Sequence, residues 1–371
     1  MTIFFGALLG VFLIVLLRLF LNSRRVTRWV REHFVAADYG LVPRAILDPQ
    51  RPGPPPAPYR LQEMRAVADA AWEGDWHAAE AYVDAAGKDW DERWSRIELL
   101  QQVAGEDEAW LEAWRTARPE NCDAATVRAG LMVHQAWEIR GTEYANKVPR
   151  ERMARFKAML PAAITEARKA ALLDPENPGP WVVMVTAARG AQYDHDQFQP
   201  LWDGLVSRAP YHYSGHWQAL QYWCAKWFGN DKLMMRFAEQ AVRKAPQGSP
   251  LAGMHLHALE ELAKQTDSLA QPVTRAARKR LDAVAASLAA VAPDNEHLPV
   301  LRHLLAHHML RAKMYAAALE QFRLIGPWCG AEPWRRNGDP VAAFELARGT
   351  AAKLSGVAPS PTAAMTHGIG H

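Results

Sequence analysis

Cysteine is scarce in this chain. Three in 371 residues, Cys122, Cys224 and Cys329, lie far apart and form no Cys-x-x-Cys. That excludes a disulfide framework and a thiolate zinc site, and makes a reducing compartment the simpler expectation. Catalytic signatures are lacking as well. There is no Gly-x-Ser-x-Gly elbow, no glycine loop ending in Lys-Ser or Lys-Thr, and no His-Glu-x-x-His. Ser214, ahead of Gly215-His216, is the nearest approach to a serine nucleophile. Strand signals are missing from Tyr59 onward, where apolar residues recur at helical spacing and alternation is rare. A large charge of one sign is missing too. The net charge is +3, and five arginines through Arg31 carry more than that, so the remainder is mildly acidic. Such a body is not a nucleic-acid binder.

What is present begins with an apolar run. Ile3 to Leu21 is broken only by Arg18, and about 20 apolar residues span a bilayer as a helix. The run lacks a basic start and passes directly into Asn22-Ser23-Arg24-Arg25, so the expectation is an uncleaved anchor over residues 1–22. Arg24, Arg25, Arg28 and Arg31 all follow it, which places the amino terminus outside and the rest in the cytoplasm of a single-pass cell-membrane protein. Gly6 and Gly10 form a Gly-x-x-x-Gly pair suited to close helix approach and hence to a homodimer. Residues 23–47 read as a basic juxtamembrane flank, with an interfacial helix anchored by Trp29 and Phe34 as the alternative. Residues 48–58, rich in proline, read as an extended linker, and 59–354 as a helical body. Residues 355–371 form a frayed tail.

Within the body, Asn295 to Pro327 reads as one helix–turn–helix unit. Leu305, Ala306 and Met309 line its first helix. Ala318, Phe322 and Ile325 pack back from the second across a turn near Arg311 to Lys313. Pro175, Pro210, Pro246, Pro293 and Pro327 each follow a helical stretch, at intervals of 35, 36, 47 and 34 residues. Turn signals recur at Gly74-Asp75, Gly105-Glu106-Asp107 and Gly229-Asn230-Asp231, where Gly ends one helix and Asp caps the next. The small Ala318, the Ala-x-x-x-Phe spacing and the closing proline resemble the tetratricopeptide repeat, whose period is about 34 residues. The resemblance covers one unit well and the others loosely, without the repeat's initial Trp or its Gly. It implies an all-α array of antiparallel helix pairs, a tetratricopeptide-like solenoid behind a single transmembrane helix, and a protein or peptide partner. A generic helical bundle is the alternative.

Two sets of side chains are candidates for chemistry. His303 and His307 lie four apart, as do His212 and His216, so each pair shares a helix face on which a metal can be held. Among the 15 tryptophans, the aromatic cluster around Trp217 and Tyr222 is the better guide to binding, with His216 beside it and Arg140 after Trp137. The reading is a membrane-anchored interaction platform without a cofactor, touching a bilayer through residues 3–21. The alternative is an all-helical enzyme, metal-dependent through its histidine pairs.

Overall fold

The computed structural model describes residues 24–141, 147–265, 274–336 and 338–360. Every regular element among them is helical, and the only bridge is an isolated parallel one between Asp48 and Trp328. The expected fold class needs one correction. No described helix is long and apolar enough to cross a membrane. The longest, α7 (Arg150–Leu173), is studded with charge, as in Arg150-Glu151-Arg152, and so suits a solvated face. The run 3–21, with Gly6 and Gly10, lies outside the described residues. Contacts divide the chain into two units: Pro56–Leu262, and Met1–Pro55 together with Ala263–His371. The expected body 59–354 therefore falls across both.

The larger unit runs through α2 (Pro58–Trp72), α3 (Trp76–Asp84), α4 (Trp90–Glu106), α5 (Ala109–Ala117), α6 (Cys122–Arg140) and α7. It continues with α8 (Gly179–Gly190), α9 (His195–Arg208), α10 (Tyr213–Tyr222), α11 (Asp231–Lys244) and α12 (Met254–Gln265). Side chains fix where these helices start. Asp75, Asp89, Asn121, Asp194 and Asn230 each accept a backbone N–H of the first turn. Gly74, at φ 93°, makes the left-handed turn ahead of Asp75. Before α11 the cap is Asn230 rather than Asp231, and Gly105 sits inside α4 rather than ending it.

Packing follows a regular order. α2 rests on α4, α4 on α6, α6 on α8 and α8 on α10, while α7 lies against both α6 and α8. Leu100, Trp114, Leu131, Leu160, Phe198 and Tyr222 are fully buried between these layers. Burying an aliphatic or Phe side chain of this size is worth about 1.5–3 kcal/mol. One polar chain ties the row together. Arg93 of α4 grips Asp123 of α6 through Nε at 3.1 Å and Nη2 at 2.5 Å. Asn177, in the turn before α8, donates to Asp123 Oδ1 at 3.0 Å and accepts from Gly179 N–H at 2.8 Å.

The smaller unit holds the described part of α1 (residues 24–33), α13 (Arg275–Ala289), α14 (Leu298–Arg311), α15 (Tyr315–Ile325), α16 (Glu332–Arg335) and α17 (Pro340–Leu354). α14 and α15 form the hairpin expected from the sequence. Leu305, Ala306, Met309, Ala318, Phe322 and Ile325 are all buried, and Lys313 takes a left-handed conformation in the turn. Residues 48–53, expected as part of a linker, are bound along the 327–335 loop. Asp48 N–H donates to Pro327 O, Cys329 N–H to Asp48 O, and Gly330 N–H to Arg51 O. A Cβ at Gly330 would stand 2.5 Å from the Arg51 nitrogen, so only glycine fits there. The five prolines noted above follow the ends of α7, α9, α11, α13 and α15.

Candidate functional site

A groove of the larger unit lies between α9 and α11. On α9, Gln199, Trp202 and Val206 share one face. On α11, Leu233, Arg236, Phe237, Gln240, Ala241 and Lys244 recur at helical spacing along a second. Two adjoining cavities of about 360 and 230 Å³ share Trp202, Phe237 and Gln240, and α10 contributes His216 while Trp223 follows it. The aromatic floor is interlocked edge to face. Trp202 and His216 are 4.9 Å apart at 84°, and Trp202 and Phe237 are 5.2 Å apart at 65°. Such contacts hold a flat apolar surface in place before a ligand arrives.

His216 is uncharged at neutral pH. Burial pushes its pKa down to about 4. Its Nδ1–H donates to the His212 carbonyl at 2.9 Å, which leaves Nε2 as the acceptor of the ring. The charge of the groove therefore comes from Arg236 and Lys244. Both are exposed, and neither makes an ion pair among the described residues. No Asp or Glu lines either cavity.

Of the four residues expected to bind, the groove takes His216 alone. Tyr222 is fully buried, stacked 3.7 Å from Phe198, and its hydroxyl donates to Tyr193 O. Trp217 is half-buried with its ring 4.4 Å from His257, whose Nε2 lies 2.7 Å from the Tyr213 hydroxyl. Arg140 stands over the Trp137 ring at 5.6 Å and donates to Gly141 O. Trp202, Phe237, Arg236 and Lys244 were missed. The apolar-and-basic ladder of α11 was visible in sequence, but its counterpart on α9 lies some 35 residues away.

The histidine pairs have other work. His303 is fully buried; its Nε2–H donates to Pro52 O at 2.9 Å and its Nδ1 accepts from the Trp334 indole at 2.8 Å. Both nitrogens are thereby engaged, and burial lowers its pKa to about 4. His212 caps α10, with Nδ1 accepting from Gly215 N–H at 3.1 Å. Among the described residues no group of three His, Cys, Asp or Glu is placed to hold a metal ion. The cysteines are equally inert: all are buried, and desolvation drives the Cys122 thiol up to about 12 and Cys329 up to about 11.

The smaller unit has its own cavity, of about 1010 Å³, between α1, the α14 end, α16 and α17. His307 stands in its wall, with its pKa lowered to about 4 by burial and by Arg311.

Fold and groove together define an all-α protein of packed helix pairs that carries a basic, aromatic-floored cleft. Compared with protein-family models, curated proteins and solved structures, the chain matches none.

Proposed function

We propose that this chain is a protein-interaction scaffold, and that its α9–α11 groove receives an acidic, apolar-anchored segment of a partner protein. The observation that carries the reading is the pairing of an aromatic floor with a rim holding Arg236 and Lys244 and no carboxylate. Binding centres favour aromatic anchors, and charge complementarity selects among partners. The order of helix pairs supports a tetratricopeptide-like origin for the scaffold, since such arrays present helix faces to peptides. Enzymatic chemistry has no comparable support here: His212, His216 and His303 each hold a hydrogen bond to the chain's own backbone.

Selection of displayed random peptides on the full-length chain tests the proposal. Enriched sequences should combine Asp or Glu with an aromatic or large aliphatic residue. They should lose binding to Trp202→Ala. Enrichment of basic or uncharged sequences, or of acidic ones indifferent to Trp202→Ala, would overturn it.

A further inference from the structure

The cavity of the smaller unit has a chemical character that the scaffold reading does not use. Its floor is apolar, built from Phe34, Leu310, Trp334 and Leu346. Two carboxylates line it, but both serve the chain itself. Asp339 accepts Val341 N–H at 2.9 Å to cap α17. Glu345 binds Arg348 at 2.5 to 2.6 Å, and that guanidinium also donates to Val42 O. The facing cations differ. Arg311, half-buried, also lines the cavity and is engaged within the chain. Arg31 and Arg44 are exposed, line the cavity, and make no ion pair among the described residues. His307 adds no charge to the wall near neutrality.

An apolar floor with arginine at the rim recognises a molecule that is apolar along its length and anionic at one end. The volume, about 1010 Å³, is at the upper end of the ~300–1,000 Å³ typical of small-molecule sites. A bare inorganic anion would leave most of that floor wet. A neutral apolar ligand would leave the two guanidiniums facing nothing. We propose that this cavity binds an anionic amphiphile of the fatty-acid type, its carboxylate held by Arg31 and Arg44 and its chain laid along Phe34, Leu310, Trp334 and Leu346. Arginine suits the carboxylate because its planar fork donates two parallel N–H bonds.

Photolabelling tests this on the full-length chain, with a diazirine-bearing palmitate and the matching palmityl alcohol as probes. Modified peptides are mapped by mass spectrometry. The acid should label the segments carrying Leu310 and Leu346 about tenfold more than the alcohol does, and excess palmitate should compete. Arg31→Ala with Arg44→Ala should erase the preference for the acid. Ala343→Trp, which fills the cavity, should remove the label; hydrogen exchange over α13 to α15 of the same unit serves as the folding control. If Ala343→Trp does not fold, the paired arginine variant, on exposed positions, still decides. Equal labelling by acid and alcohol, labels elsewhere in the chain, or a preference that survives loss of both arginines would overturn the proposal. So would competition by an acidic peptide but not by palmitate, which would make the cavity a protein-docking site.

Discussion

Each unit carries a pair of histidines four residues apart, and the two pairs divide their work alike. The first member holds the backbone: His212 caps α10, and His303 joins Pro52 to Trp334. The second stands in a cavity wall, His216 in the larger unit and His307 in the smaller. The cavities themselves differ. The α9–α11 groove is lined by cations and no acid, whereas the smaller unit's cavity includes two carboxylates already bound within the chain. The comparison teaches that a shared helix face does not by itself make a metal site: both ring nitrogens of His303 are engaged within the chain, as is one each of His212 and His216. It also shows that the charge available to a ligand is set by which acids are engaged, not by how many are present.

The strongest way to separate the units is to break the polar chain of the larger one. Asp123→Ala removes the buried partner of Arg93 and the acceptor of Asn177, while Arg93 keeps the exposed Asp84 carboxylate at 2.9 Å. The loss expected is about 3 kcal/mol, since a hydrogen bond to a charged group contributes about 1.5–3 kcal/mol. Hydrogen exchange should show it over α4 to α8, with α13 to α17 unchanged. Uniform loss in both units would mean that they unfold as one.

His303→Leu is the counterpart in the smaller unit. It strands the Pro52 carbonyl and the Trp334 indole, at about 1–3 kcal/mol for each buried group left without a partner. Denaturant unfolding of the variant should show the lower midpoint, and exchange should rise in α14 to α17 first.

Acid should act on the same contrast. A histidine whose folded pKa is about 4, below the usual 6.5, favours the folded state fully above pH 6.5. That contribution is lost as pH falls from 6.5 through 4, at about 1.4 kcal/mol per pH unit for each histidine. His303 and His307 both place such a group in the smaller unit. Between pH 6.5 and 4.5 its amides should therefore lose protection, and His307→Gln should make that loss shallower.

The smallest effect concerns binding alone. Trp202→Ala should weaken a selected acidic peptide by about ten- to a hundredfold, as loss of an aromatic anchor does. Amphiphile labelling of the smaller unit should be untouched.

Much of the architecture was legible in the sequence because it is written locally. The α14–α15 hairpin follows from six residues whose spacing forces them inward, and all six are buried. The prolines fall just after the ends of α7, α9, α11, α13 and α15 because proline cannot continue a helix. Capping was legible in kind but not in detail, since Asn230 and Asp231 are both able to cap and only geometry chooses. The groove was not legible. Trp202 and Phe237 meet only after α10 has turned the chain between them, and no local pattern states which faces will pair. Tyr222 misled for the opposite reason: its helix places it inward, stacked on Phe198, although its composition resembles that of a binding surface.

The central claim is that the charge of the α9–α11 groove chooses its partner. Replacing both rim cations, Arg236→Glu with Lys244→Glu, and repeating the peptide selection on the full-length chain tests it most directly. Both positions are exposed, so the fold should be retained, as circular dichroism would verify. The predicted result is inversion: enriched peptides change from acidic to basic while keeping their aromatic or aliphatic anchor. Continued enrichment of the same acidic sequences by the reversed groove would contradict the account.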